Sequence, residues 1–342
     1  MSIGSEDLLT RARASASRDA VRLVDDSLVW DMTLPWGEGY AHKPILARFH
    51  RAGFDLLSLT VAGTEVDLSH TVRWLAGAAL MIEHERERMT LCHTVADIER
   101  AKAEGKLAII FNFQETRPFQ KNLELVSLFY RLGVKHALLA YNSKNFVGDG
   151  CAERNDGGLS RFGIELVQEM NRVGMLVCGT HSGYRTTMEA MEVSTSPCIF
   201  SHSNAYGVYP HYRNIRDDQI QACAKGGGVI GINGLGEFLD DHEATSEVVF
   251  RHIDYIANLV GPEHVGLGLD YVEDGPAFWR WVDEHPDMWP PNPGQTRTYS
   301  KFAQPEQLYQ LVDLMLRRGY AKGDIRNILG LNFKRVCQQV WK

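Results

Sequence analysis

Two histidines stand just beyond two short apolar runs. Met175-Leu176-Val177-Cys178 ends in Gly179-Thr180-His181-Ser182, and Pro197-Cys198-Ile199-Phe200 ends in Ser201-His202-Ser203-Asn204. Residues 184–193, between them, suit a short crossover helix. Parallel strands joined by a helix place their C-terminal ends side by side. The spacing therefore predicts both imidazoles on one rim, a few ångströms apart, which is how a metal site is assembled from residues distant in sequence. A lone loop histidine more often ligates nothing; the matched placement, with a carboxylate on a third strand end, favours ligation.

That carboxylate is Glu115, which follows the apolar run 107–113. Other strand ends carry Asp31 and Thr33, Tyr141, Asn233 and Asp270. Glu115 with His181 and His202 is a donor set suited to Zn²⁺. An ion held there would acidify a water and polarise a carbonyl. Asp270 is then the expected base for that water, or the shuttle to a leaving amine; its plainer role would be a cap or a salt bridge. Arg213 lies a short loop beyond His202, and its planar fork suits a two-pronged grip on a carboxylate.

The elements that must position these residues alternate along the chain. Strands are expected at 27–32, 54–61, 107–113, 135–140, 175–178, 197–200, 228–233 and 265–270. Most are continuous apolar runs, as parallel strands buried on both faces are. Helical spacing is expected at 5–24, 70–88, 123–132, 162–172, 217–225, 247–259, 306–318 and 322–341. Eight strands alternating with helices in roughly 300 residues predict an α/β fold of the (β/α)8 TIM-barrel type, with an open doubly wound sheet as the fallback. Chemistry in such a barrel sits on the C-terminal rim. One domain is expected over 1–342, with an N-terminal helix and a lid-like loop at about 271–303 that holds Trp279, Trp281 and Trp289.

Composition narrows the classes. The chain has 342 residues, 44% of them hydrophobic, and a net charge of −7 with no basic run, so no nucleic-acid partner is expected. The six cysteines are scattered without a CxxC, which suits reduced thiols and a cytoplasmic location. The first residues, polar and acidic, do not read as a secretory signal. No apolar run approaches the roughly 18 residues of a membrane span, so no membrane partner is expected. No GxGxxG or P-loop supports nucleotide binding.

Several motifs together resemble the membrane (renal) dipeptidase family of metallopeptidases, family M19. They are Phe162-Gly163-Ile164-Glu165-Leu166, Thr180-His181-Ser182, Phe200-Ser201-His202-Ser203-Asn204-Ala205, His211-Tyr212-Arg213-Asn214, Gly227-Gly228-Val229-Ile230-Gly231, Gly266-Leu267-Gly268-Leu269-Asp270 and Leu329-Gly330-Leu331-Asn332-Phe333. The likeness spans nearly the whole chain and is densest from 159 to 233. It implies a (β/α)8 barrel with two zinc ions bridged by Glu115, with His181 and His202 completing one site. It further implies that Arg213 holds a substrate carboxylate and that Asp270 handles the proton of the catalytic water. Relatives of this family are often homodimers, and the resemblance extends that expectation to this chain.

The departures are as informative. The first strand of the family usually ends in His-x-Asp; the matching residues here are Asp31-Met32-Thr33. Asp31 remains a candidate oxygen ligand, whereas the neutral Thr33 hydroxyl is a poor one. The family's histidine at the fourth strand end is Tyr141, which can donate to an oxyanion but carries no charge. Tyr141 and Asn204 complete the residues expected to touch substrate. One zinc or two, a changed metal, or a different carboxylate-bearing substrate all follow from such a site. The leading expectation is a metal-dependent dipeptidase-like hydrolase. The rival is a relative with a degraded metal site that binds or transforms another small carboxylate without peptidase activity.

Overall fold

The computed structural model describes residues 5–37, 42–63, 66–294 and 296–342. Its strands are β1 (Trp30–Pro35), β2 (Leu56–Ala62), β3 (Met89–Leu91), β4 (Leu107–Phe113), β5 (Val134–Leu138), β6 (Leu176–Cys178), β7 (Ile230–Ile232) and β8 (Val265–Leu267). Every residue of β2 and β4 is buried, because helices cover one face and the barrel interior takes the other. All pairings are parallel. The order is β1-β2-β4-β5-β6, with β7 paired to β8. Ile199 bridges to Cys178 and Phe200 to Ile230, so this short segment joins the two sheets. Across the remaining seam, the Asp270 N–H donates to the Thr33 carbonyl at 3.1 Å, and the Leu269 N–H donates to the Asp31 carboxylate at 3.1 Å. The result is the TIM-type arrangement of staves; Glu115, Tyr141, His181, His202 and Asp270 follow the C-terminal ends of their strand segments, while Asp31 and Thr33 lie within β1.

Several boundaries differ from the sequence expectation, each for a local reason. β1 begins at Trp30 rather than at residue 27. The Val29 N–H is bonded to the Asp55 carboxylate and the Ser27 hydroxyl to the Leu23 carbonyl, so residues 27–29 belong to the connection. Thr33 therefore lies inside the strand. β3 lies beside the start of β4 and is too short to show a period. The first helix is two, Ser5–Ser15 and Arg18–Asp25, because Ser17 caps the second. The helices Lys43–Arg51 and Val95–Ala103 were not expected; Thr94 and Asp97 close a capping box on the latter. The segment expected as a loop at 271–303 contains the helix Gly275–Glu284, started by Asp274. No helix among the described residues is long and apolar enough to cross a membrane.

The barrel interior is partly polar. Asn112 Nδ2 donates to Ser58 Oγ at 2.9 Å, the Thr60 hydroxyl donates to Asn112 Oδ1 at 3.0 Å, and Gln114 Nε2 donates to Thr60 Oγ1 at 3.2 Å. Ser58 Oγ, already an acceptor, donates to His136 Nε2 at 3.0 Å. Burial holds the fully enclosed His136 down to about 3. A depressed histidine stabilises the fold above its unfolded value near 6.5, and that contribution is lost as pH falls from there toward 3. At pH 5 the loss from this residue is about 2 kcal/mol. Urea denaturation at pH 7.5 and pH 5 is therefore expected to show a smaller drop for His136→Gln than for the parent, by about that amount. Equal drops would show that His136 does not titrate this way.

Candidate active site

His181 and His202 meet. Their Nε2 atoms are 3.0 Å apart and both rings are buried. The other ring nitrogen of each fixes the tautomer. Asn142 Nδ2 donates to the Met288 carbonyl at 3.1 Å, which orients its Oδ1 toward His181 Nδ1 at 2.7 Å. His181 Nδ1 therefore carries the hydrogen. His202 Nδ1 lies 2.9 Å from both Thr33 Oγ1 and Ser201 Oγ. The Thr33 hydroxyl donates to the Met32 carbonyl at 2.6 Å, so it accepts from His202. Both Nε2 atoms are thus left with lone pairs directed at one another. Burial, then the positive charge of Arg213, hold both histidines well below their usual range, so each is the neutral form that binds a metal. Facing lone pairs at 3.0 Å repel. An ion taking both imidazoles at about 2.0–2.1 Å would lie beside the line joining the two nitrogens, with the rings turned toward it. His181 holds a left-handed φ of +65°, a strained conformation of the kind that clusters at functional sites.

The carboxylates are less convergent. Asp270, also at positive φ (+54°), places Oδ2 4.0 Å from His202 Nε2 and accepts from Asn233 Nδ2 at 3.3 Å. Burial raises it to about 6, against the pull of Arg213 and its hydrogen bonds. Glu115 is buried, but its Oε1 accepts from the Thr116 N–H at 2.9 Å and from the Asn145 side chain. Asp31 accepts from the N–H groups of Thr33 and Leu269, and burial raises it to about 7. Among the described residues no three His, Cys, Asp or Glu side chains come together as a metal set. The expected grouping of Glu115 or Asp31 with the two histidines is thus not present in this arrangement. The Asn145 loop holds Oε1 of Glu115, while Oε2 lies 3.8 Å from Arg117; the β1–β8 seam holds Asp31. Asn204 spends its amide on the Asn233 main chain, donating at 3.2 Å and accepting at 3.1 Å, rather than presenting it to a ligand.

Arg213 is the most telling side chain beyond the histidines. It is 3% exposed, lies 5.0 Å over the Phe238 ring, and its Nε and Nη2 have no hydrogen-bond partner. Buried N–H groups left without acceptors are costly, and a free guanidinium edge fits a planar anion. Tyr141 stacks on His181, with ring centroids 3.9 Å apart and planes at 18°. Trp289 lies 6.2 Å from both rings and parallel to Phe238 at 6.0 Å, covering the group. A cavity of ≈ 380 Å³ reaches Asp270, Tyr141 and Gln114. Asn142, which sets the His181 tautomer, carried no sequence signal beyond its place after a strand; Thr33, read from the sequence as a poor ligand, instead sets the tautomer of His202.

A model of the membrane dipeptidase family (peptidase family M19) matches residues 57–288. Dipeptidase verJ of Clonostachys rogersoniana is 29% identical over 285 residues, 83% of this chain and 66% of that protein. Dipeptidase tcpJ of Claviceps purpurea is 30% identical over 265 residues, 76% of this chain and 57% of that protein. The chain therefore spans somewhat under two thirds of the length of these curated relatives. A crystal structure of an amidohydrolase from Pseudomonas aeruginosa superposes with a TM-score of 0.85 at 29% identity, covering 94% of this chain and 99% of that one.

Proposed function

Since the chain belongs to the membrane dipeptidase family, we propose that it is a metal-dependent hydrolase cleaving an amide that lies beside a free carboxylate, in a dipeptide or a dipeptide-like compound. The observation that carries this reading is the pair of facing Nε2 lone pairs on His181 and His202, with tautomers fixed by Asn142 and Thr33. These two residues would hold zinc. Glu115 would join through Oε2, which lies 3.8 Å from the Arg117 guanidinium while Oε1 takes the Thr116 and Asn145 bonds. Asp31 is held by the N–H groups of Thr33 and Leu269.

Zinc, when bound, acidifies water and polarises a carbonyl. The chain's own residues supply the rest. Arg213 offers Nε and Nη2 to the substrate carboxylate and so fixes which amide is presented. Asp270, raised toward neutrality by burial, takes the proton of the attacking water and returns it to the departing amine, the behaviour of a base tuned near working pH. The Tyr141 hydroxyl is the donor for the oxyanion. Trp289 keeps bulk water from the group, which strengthens each of these interactions.

A second reading is a binder or non-peptidase relative. The absence of a three-residue metal set among the described residues favours it. A dipeptide panel assayed after chelator treatment, with and without added zinc, separates the two. The hydrolase reading expects cleavage that disappears with chelator and returns with zinc. No cleavage of any dipeptide under any metal condition would leave the second reading.

A further inference from the structure

We propose that the acyl half of the substrate carries an aromatic or large branched apolar side chain, received by the cavity of ≈ 380 Å³ beside Asp270 and Tyr141. Assigning the acyl half rests on the hydrolase reading above; the cavity's preference for apolar groups does not. Arg213 is not part of the cavity wall. The half of the substrate whose carboxylate it holds therefore lies elsewhere, and the half across the scissile amide faces the cavity.

The walls are Trp36, Trp74, Phe278, Trp281, Trp289 and Phe302. They come from three parts of the chain, and two sets of them are held by contacts of their own. Trp74 Nε1 donates to the Trp36 carbonyl. Phe278 meets Trp289 edge-on at 5.7 Å and 90°, and Phe302 at 5.3 Å and 77°. Such a box offers ring faces and edges to an aromatic group without reorganising. Its volume falls among small-ligand sites, about 300–1,000 Å³. Thr60, Gln114, Tyr141 and Asp270 are polar lining residues, and His70, stacked on Trp74 at 6.2 Å, adds one polar ring to the aromatic wall. Among the described lining residues Asp270 is the one carboxylate, and there is no lysine or arginine. An acidic side chain entering here would be desolvated beside the Asp270 carboxylate, with the His70 imidazole as the one basic group among the described lining residues. The same walls reward apolar area.

The test compares Phe-Gly, Leu-Gly, Ala-Gly and Glu-Gly with the zinc-supplemented protein, so that the carboxylate half stays constant. Burying about 80 Å² of extra apolar surface corresponds to about a 30-fold gain. The expected order of kcat/KM is Phe-Gly and Leu-Gly above Ala-Gly by roughly that factor, with Glu-Gly below Ala-Gly. In Trp74→Ala, a half-buried position, the Phe-Gly to Ala-Gly ratio is expected to fall several-fold. Equal rates on Phe-Gly and Ala-Gly would overturn the cavity assignment while leaving the hydrolase reading intact. If no dipeptide is cleaved, that reading fails and binding alone decides the cavity's role. L-phenylalaninamide and L-alaninamide are then titrated into the metal-free protein while tryptophan emission is followed. Saturable change with the aromatic amide only supports the assignment, and the same weak response to both overturns it.

Discussion

His202→Ala is expected to lower kcat/KM for dipeptide hydrolysis by well over about 100-fold, and zinc affinity with it. Loss of an outer hydrogen-bond partner of a ligand already costs about 10–100-fold in affinity or activity, and here the ligand itself is removed. Among the described residues only His181 and His202 bring imidazole nitrogens within 3.0 Å of each other, so a variant with one of them keeps no chelating pair. The fold should survive. His202 makes its Nδ1 contacts to Thr33 and Ser201 hydroxyls, each of which has another bond. Circular dichroism matching the parent, together with a parallel loss of zinc binding and turnover, is the expected pattern. Undiminished hydrolysis in this variant would place the chemistry elsewhere.

Arg213→Met is expected to cost about 30-fold or more in kcat/KM on a dipeptide, since deleting one member of a buried, hydrogen-bonded charge pair costs about 2–5 kcal/mol. The loss should be specific. A dipeptide whose C-terminal carboxylate is capped as an amide lacks the group that Arg213 receives, so parent and variant should treat it alike. Stability should not fall with activity. In the free protein Nε and Nη2 have no partner, and the methionine chain can still lie on Phe238. Thermal unfolding of Arg213→Met at or above the parent's temperature, with the dipeptide-specific defect, separates anchoring of substrate from structural support. An equal loss on free and capped substrates would remove Arg213 from that role.

How much of this was legible in the chain varies by residue. The histidine pair was, because two parallel strands joined by a helix leave little freedom in where their C-terminal ends lie. Arg213 was readable as an anion-binding candidate from its type and its place after His202. Its burial, with Nε and Nη2 unpaired, came only from the fold. Glu115 shows the limit most clearly. Its position at the end of β4 places it on the correct rim, but the direction of a carboxylate there depends on the loop that packs beside it. The loop at 145–148 brings Asn145 to its oxygen, and nothing in the spacing announces that. Thr33 shows the same limit through register. With a first strand at 27–32 it would lie past the strand end; with β1 at Trp30–Pro35 it is a stave residue that reaches His202. The tryptophan-rich segment was read as a lid from its aromatics. Its helix was hidden because Pro276 and Gly275 look like loop residues, although proline is well placed in a first helical turn capped by Asp274.

Crystals of the intact chain grown with zinc and measured across the zinc absorption edge give the most direct test. An anomalous peak within coordinating distance of both His181 Nε2 and His202 Nε2 is the predicted result. Protein that cleaves dipeptides while showing no peak there, or showing it only at a distant surface site, would contradict the central claim.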